Sequence, residues 1–201
     1  YNIVINGLCK DKKPIEACNV VDFMKEKNYA PDIATYSILI HGFCTTGQLD
    51  NAYKWVENMK KDGFALNVFT FNALIHGLFK AGKFSEAGRL FDTMVHQGCT
   101  PDVATYNLMM FYLLKADMLW QACEVFLRCL QRGCIPDRGM YRTFVIGMLD
   151  ANKRLVDTRL SESSSRMSPV LGLLKSHLRS LHEMGRHDVA LKLQRDMRIS
   201  D

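Results

Sequence analysis

The chain has 201 residues, of which 48% are hydrophobic and 23% charged, with a formal net charge of +5. That balance excludes wholesale disorder, and the mild positive charge permits a polyanionic partner without demanding one. No run of 18 apolar residues occurs, so no membrane-spanning helix and no membrane partner is expected.

The chain repeats itself every 35 residues. Ile33-Ala34-Thr35-Tyr36-Ser37 recurs as Val68-Phe69-Thr70-Phe71-Asn72 and again as Val103-Ala104-Thr105-Tyr106-Asn107. A fixed period in this range predicts an array of supersecondary units, each burying its apolar face against its neighbours.

In chain order, residues 1–32 form the first unit, marked by Gly7, Ala17 and Met24. The chain opens at Tyr1, inside that unit, so it is expected to be a fragment whose targeting segment would lie elsewhere. Residues 33–67 show the pattern in full. The run Tyr36 to Cys44 is apolar on most sides, as a helix sandwiched in a stack would be. Gly47 follows, where a helix end favours a left-handed residue. Ala52, Trp55, Val56 and Met59 then fall at i, i+3, i+4 and i+7, one face of a second helix. Lys54, Glu57, Lys60 and Lys61 cover the other face, and Asp62-Gly63 closes it.

Residues 68–102 copy this with Gly82, Ala87, Leu90, Phe91 and Met94, and residues 103–137 with Ala122, Val125, Phe126 and Leu130. Residues 138–170 keep Met140-Tyr141 and Gly147 but are two residues short, and Leu160 to Ser165 lack the Ala and Met anchors. Residues 171–201 recover the spacing through Gly185, Ala190, Leu193 and Met197, which predicts a terminal helix pair capping the stack. The predicted architecture is an all-α solenoid of helix-turn-helix repeats.

The seven cysteines include no C-x-x-C, and Cys9/Cys44 and Cys99/Cys134 occupy equivalent slots a repeat apart. They are expected to be reduced, small buried hydrophobes rather than disulfides. His182-Glu183-Met184-Gly185-Arg186-His187 resembles a zinc-protease motif, but its histidines stand at i and i+5, on different helix faces, with a glycine between them. His41 and His76 occupy equivalent slots of different units and are not expected to share a metal. No P-loop, dinucleotide turn or G-x-S-x-G is present. No catalytic residue, metal or cofactor is expected.

Several motif elements recur at the one period. They are a T-Y/F-N/S-x-L/M-I/M opening, a G-L-C/F-K-x-G-like turn, an A-x-x-L/V-F/V-x-x-M second helix and a G-x-x-P-D close. Together they resemble the pentatricopeptide repeat family, closely over residues 1–137 and loosely beyond. No tract of the editing subclasses follows, so the chain is most similar to the plain, P-type branch. The resemblance implies a right-handed α-solenoid without enzymatic activity that binds single-stranded RNA, one base per repeat. It also implies protein factors of organellar RNA processing as partners, and a location in the mitochondrion or chloroplast.

In this family two positions choose the base: the residue after the opening aromatic and the last residue of the repeat. Here they are Asn2 with Asp32, Ser37 with Asn67, Asn72 with Asp102, and Asn107 with Asp137. The family's pairing rule gives uracil for Asn with Asp and adenine for Ser with Asn, hence 5′-UAUU-3′. The chemistry is consistent, because an Asn carboxamide offers a donor and an acceptor to uracil, and the shorter Ser leaves room for a purine. Helix capping alone would account for Asp32, Asn67, Asp102 and Asp137. It would not account for Asn or Ser inside an apolar helix start, where neither is a good helix former.

The residue two before the aromatic is Ala34, Phe69, Ala104 and Gly139 in successive repeats, and the resemblance implies packing against base faces. Phe69 would stack on a base or else join the core. Lys10, Lys80 and Lys115 share another slot, where either the helix dipole or an RNA phosphate explains lysine. In the degenerate repeat Arg142 stands in the reading slot, with the closing slot near Val170-Leu171-Gly172, and no base is expected to be read there. The alternative function is a helical scaffold for a protein segment, which would need an exposed apolar stripe in place of the polar pairs.

Overall fold

A computed structural model describes residues 1–144, 146 and 147 of the chain. Helices alternate with tight turns: α1 (Asn2–Lys10), α2 (Pro14–Glu26), α3 (Ile33–Thr45), α4 (Leu49–Lys61), α5 (Val68–Lys80), α6 (Phe84–His96), α7 (Val103–Lys115) and α8 (Leu119–Gln131). A further helical stretch covers residues 138–144. Every regular element among the described residues is helical, and the fold is an α-solenoid of helix-turn-helix repeats. No described helix is long and apolar enough to cross a membrane. The chain divides into two compact units, Tyr1–Pro101 and Asp102–Asp201.

The N-termini of α3, α5 and α7 are each set by a side chain. Asp32 and Asn67 stand in extended backbone before α3 and α5 and accept from the Thr35 and Thr70 backbone N–H, as Asp102 does from Thr105 before α7. Such caps contribute about 1 kcal/mol each. The turn after each inner helix needs one left-handed residue. Gly47 (φ +78°) and Gly82 (φ +73°) fill that slot in the second and third repeats, and Lys12 and Asp117 (both φ +61°) fill it in the first and fourth.

In the first unit α1, α3 and α5 pack in succession, with α2, α4 and α6 each laid against its own inner helix. Tyr36, Leu39, Ile40, Phe43 and Cys44 of α3 and Phe71, Leu74, Ile75, Leu78 and Phe79 of α5 are all buried. The spacing between inner helices rests on small residues. A Cβ on Gly42 would lie 2.5 Å from Cys9 Sγ, and one on Gly77 would lie 3.0 Å from Cys44 Cβ. In the second unit α7 packs on α8, with Tyr106, Met110 and Phe126 buried.

All seven cysteines are free. Burial pushes the thiols of Cys9 and Cys123 up to about 11 and those of Cys44 and Cys129 up to about 12, so they stay protonated. Cys18, Cys99 and Cys134 depart from the expected burial and are only half-buried; Cys99 and Cys134 lie just past the ends of α6 and α8, where the chain has already left the stack. The degenerate repeat 138–170 is described only at its start. The predicted capping pair 171–201, with Gly185, Ala190, Leu193, Met197 and the His182 to His187 segment, lies outside the described residues.

Candidate nucleic-acid interface

Helices α3, α5 and α7 are buried on most sides, so little of them meets solvent. On α3 that strip holds Ile33 and Ala34, half-buried Ile38 and His41, and the edge of Ser37. The first turn brings two side chains from successive repeats together there, because the closing residue of one repeat caps the next inner helix.

The first pair is directly bonded. Asn2 Nδ2 donates to Asp32 Oδ1 and Oδ2 at 3.2 and 3.4 Å. Asp32 Oδ1 also accepts from the Thr35 backbone N–H at 2.7 Å. That bond first, with the Asn2 amide adding to it, holds the Asp32 carboxyl below its usual range. The Thr35 hydroxyl lies 2.8 Å from both Asn2 Oδ1 and Asp32 Oδ1.

The second pair repeats the scheme with a shorter reader. Asn67 Nδ2 donates to Ser37 Oγ at 3.4 Å, while Asn67 Oδ1 accepts from the Thr70 N–H at 2.9 Å. Ser37 Oγ lies 3.1 Å from Thr70 Oγ1. Above this pair opens a cavity of about 620 Å³, with Ser37 and Asn67 among its lining, Ala34 and Ile38 on the α3 side and Phe69 on the α5 side.

Asn72 lies in the first unit and Asp102 in the second, so each is placed within its own unit only. Asn107 and Asp137 come together in the second unit. A Cβ on Gly139 would lie 3.2 Å from Asp137 Oδ1 and 3.9 Å from Asn107 Nδ2. Asp137 Oδ1 accepts from the Met140 N–H at 2.7 Å. The Oδ1 atoms of Asn72 and Asn107 are buried without a hydrogen-bond partner.

The slot two before the aromatic is exposed in each repeat where it falls, at Ala34, Phe69, Ala104 and Gly139. Phe69 is 50% exposed and is therefore no core aromatic. Its ring leans on that of His41, with centroids 5.4 Å apart. Burial lowers the pKa of His41, and that of His76 with Lys80 and His41 adding to the effect, so both rings are uncharged at neutral pH. Among the described residues no cluster of His, Cys, Asp or Glu could hold a metal ion.

Lys10, Lys80 and Lys115 are exposed at the last positions of α1, α5 and α7. Lys80 Nζ donates to the Thr45 carbonyl at 2.8 Å, capping the C-terminal end of the preceding inner helix. Lys115 lies over the Phe111 ring at 5.1 Å. Arg142 is exposed in its reading slot. The site residues that sequence reasoning missed are Thr35 and Thr70. Their recurrence in the opening motif was visible, but the motif by itself does not reveal that the hydroxyl reaches back to the reader of the preceding repeat.

The model of the PPR repeat family matches residues 1–45, 38–80 and 66–111 of the chain, and a PPR repeat model matches residues 104–134. Among solved structures, the crystal structure of the pentatricopeptide repeat protein PPR10 in complex with an 18-nt psaJ RNA element is 26% identical, with a TM-score of 0.69 over 84% of this chain and 25% of that one. PPR10 from maize, at 26% identity and a TM-score of 0.62, is covered over 98% of this chain and 28% of that one. The chain thus spans about a quarter of PPR10. The PPR domain of Arabidopsis thaliana protein-only RNase P 1 in complex with tRNA, at 17% identity and a TM-score of 0.59 over 82% of this chain and 93% of that one, shares the fold. No curated protein matches the chain.

Proposed function

The chain belongs to the PPR repeat family, and on that footing we propose that it binds single-stranded RNA, one base to each helix pair, without catalysis of its own. The pairs Asn2–Asp32, Asn72–Asp102 and Asn107–Asp137 take uracil and Ser37–Asn67 takes adenine. With the RNA 5′ end at the N-terminal repeat, the core target is 5′-UAUU-3′.

The observation that carries this reading is the bonded reader pair at the foot of an open cavity. In the first pair Asp32 occupies one N–H of the Asn2 amide, leaving the second N–H and an Oδ1 lone pair for a uracil carbonyl and its N3–H. In the second pair the serine stops short, and a cavity of about 620 Å³ stands over it. Phe69 stacks on the base there, a contact contributing roughly 1–3 kcal/mol. Ala34 and Ala104 supply less area. Lys10, Lys80 and Lys115 follow the phosphates, so log affinity falls with log salt by about 0.7 per phosphate neutralised. The inner helices also expose Ile3, Ile33, Phe69 and Phe111, so the reading rests on the bonded polar pairs beside them and not on a lack of apolar surface.

The test is a competition between 5′-UAUU-3′ and 5′-UUUU-3′, each inside a longer unstructured RNA. Wild type favours the first, and the double variant Ser37→Asn, Asn67→Asp favours the second. A wrong base costs about 1–3 kcal/mol, by analogy with mismatched pairs at protein–DNA sites. If neither protein discriminates, the pairs are helix caps only and the protein-binding scaffold takes over. The process served is organellar RNA metabolism in a mitochondrion or chloroplast, checked by the location of a fluorescent fusion of the full-length protein.

A further inference from the structure

Asn2 and Asn107 are the same residue in the same slot, yet their amides are held differently. Asn2 is gripped at both ends, its Nδ2 by Asp32 and its Oδ1 by the Thr35 hydroxyl at 2.8 Å. Thr35 has one hydroxyl proton and two acceptors within reach. Asp32 Oδ1 already receives the Thr35 N–H and Asn2 Nδ2, so donation to Asn2 Oδ1 is the assignment that satisfies every group. Two bonds at opposite ends of a carboxamide fix its plane as well as its flip.

The residue 33 positions after Asn2 is Thr35, after Ser37 it is Thr70, after Asn72 it is Thr105, and after Asn107 it is Met140. The backbone there is unchanged: Met140 N–H donates to Asp137 at 2.7 Å, as Thr35 N–H does to Asp32. Only the side chain differs. Met140 is fully buried, and its thioether lies 3.8 Å from Cys129 Sγ. Asn107 Oδ1 is buried with no hydrogen-bond partner, as is Asn72 Oδ1, whose Thr105 belongs to the other unit and donates to Asp102 Oδ1 at 2.8 Å.

We infer that the threonine hydroxyl at this slot is the positioning group that gives a reader its selectivity, and that Met140 leaves the Asn107 reader loosely aimed. The first pair therefore discriminates bases more sharply than the fourth, although both are Asn with Asp. Thr35 acts through Asn2 and touches no base. The inference rests on the base-reading proposal above.

The experiment binds the full chain to a randomised RNA pool and sequences the bound fraction, giving a base ratio at each position. Wild type shows a sharper uracil ratio at the first position than at the fourth. Thr35→Val, which keeps the shape and removes the hydroxyl, lowers the first ratio roughly three- to tenfold, the worth of one net hydrogen bond. It leaves the other positions alone, and Thr35→Ser restores the ratio. Met140→Thr raises the fourth ratio by a similar factor. A merely structural threonine would instead weaken binding to all RNAs with every ratio unchanged, and that result overturns the inference. So does a fourth ratio that Met140→Thr fails to raise, which decides the matter alone should Thr35→Val not fold. Wild type with no preference at any position overturns base reading and this inference together; a preference that neither variant moves overturns only the role of the threonine.

Discussion

The inner helices α3 and α5 and the outer helices α4 and α6 have the same length and opposite characters. Helix α3 buries Thr35, Tyr36, Ser37, Leu39, Ile40, Gly42, Phe43 and Cys44, whereas α4 buries Leu49, Ala52, Val56 and Met59. Helix α3 has α1 before it, α5 after it and α4 behind it, so only one strip is open to solvent. The outer helix keeps a solvated half, where pairs such as Lys60–Glu57 and Lys83–Glu86 sit at i, i+3. A polar residue therefore carries different meaning on the two. On an outer helix it is ordinary surface; on an inner helix it is either satisfied by a partner or aimed at a ligand.

The contrast breaks hardest in the inner core. Leu39→Ala, at a site with no exposure, is expected to lose about 2–5 kcal/mol, read as a shifted denaturant midpoint. A somewhat smaller loss is expected at the small-residue contact. Gly42→Ala places a methyl 2.5 Å from Cys9 Sγ and should cost about 1–3 kcal/mol by overpacking. An unchanged melting temperature would show that the inner helices can separate without penalty.

The cap gives a pH-dependent version. Hydrogen bonds from Thr35 and Asn2 lower the folded pKa of Asp32. Its stabilisation is therefore fully present above the ordinary carboxylate range and is lost as pH falls through the lowered folded value. Asp32→Ala should cost about 1 kcal/mol at neutral pH, and the gap to wild type should shrink in acid. A gap constant with pH would mean the carboxylate charge plays no part.

A gentler change, of opposite sign, is expected on an outer helix. Gly88 in α6 has nothing within 4 Å of where a Cβ would go. Gly88→Ala should stabilise by about 0.5–1 kcal/mol through helix propensity, measured by thermal melting. Together with Gly42→Ala, it makes one substitution stabilising outside and destabilising inside.

Much of this was legible because the period repeats the same physics. The sequence-derived repeat starts at 33, 68 and 103 coincide with the first residues of α3, α5 and α7, since Asp32, Asn67 and Asp102 each cap the inner helix that begins one residue later. The reader slots were visible as Asn or Ser interrupting apolar runs. Other features needed three dimensions. The bond from Lys80 to the Thr45 carbonyl spans one full repeat, and lysine at a helix end does not announce its acceptor. The exposure of Phe69 comes from the turn of α5 that carries it, not from its residue type. The unpartnered Asn107 oxygen is an absence, and the residue that replaces threonine in its slot is a methionine that looks like an ordinary core residue.

The close approach of Cys9 to Gly42 also makes the stack its own gauge. Cys9 and Cys44 are sealed between successive inner helices, at 4% and 0% exposure, with thiols pushed up to about 11 and about 12. An alkylating reagent attacks the thiolate, so it modifies these sulfurs from states in which the helices have parted and the thiols have returned to their ordinary acidity. The labelling rate at each cysteine is then a clock for the opening of one particular seam. Slower labelling in the presence of RNA would locate, seam by seam, where the strand ties neighbouring repeats together.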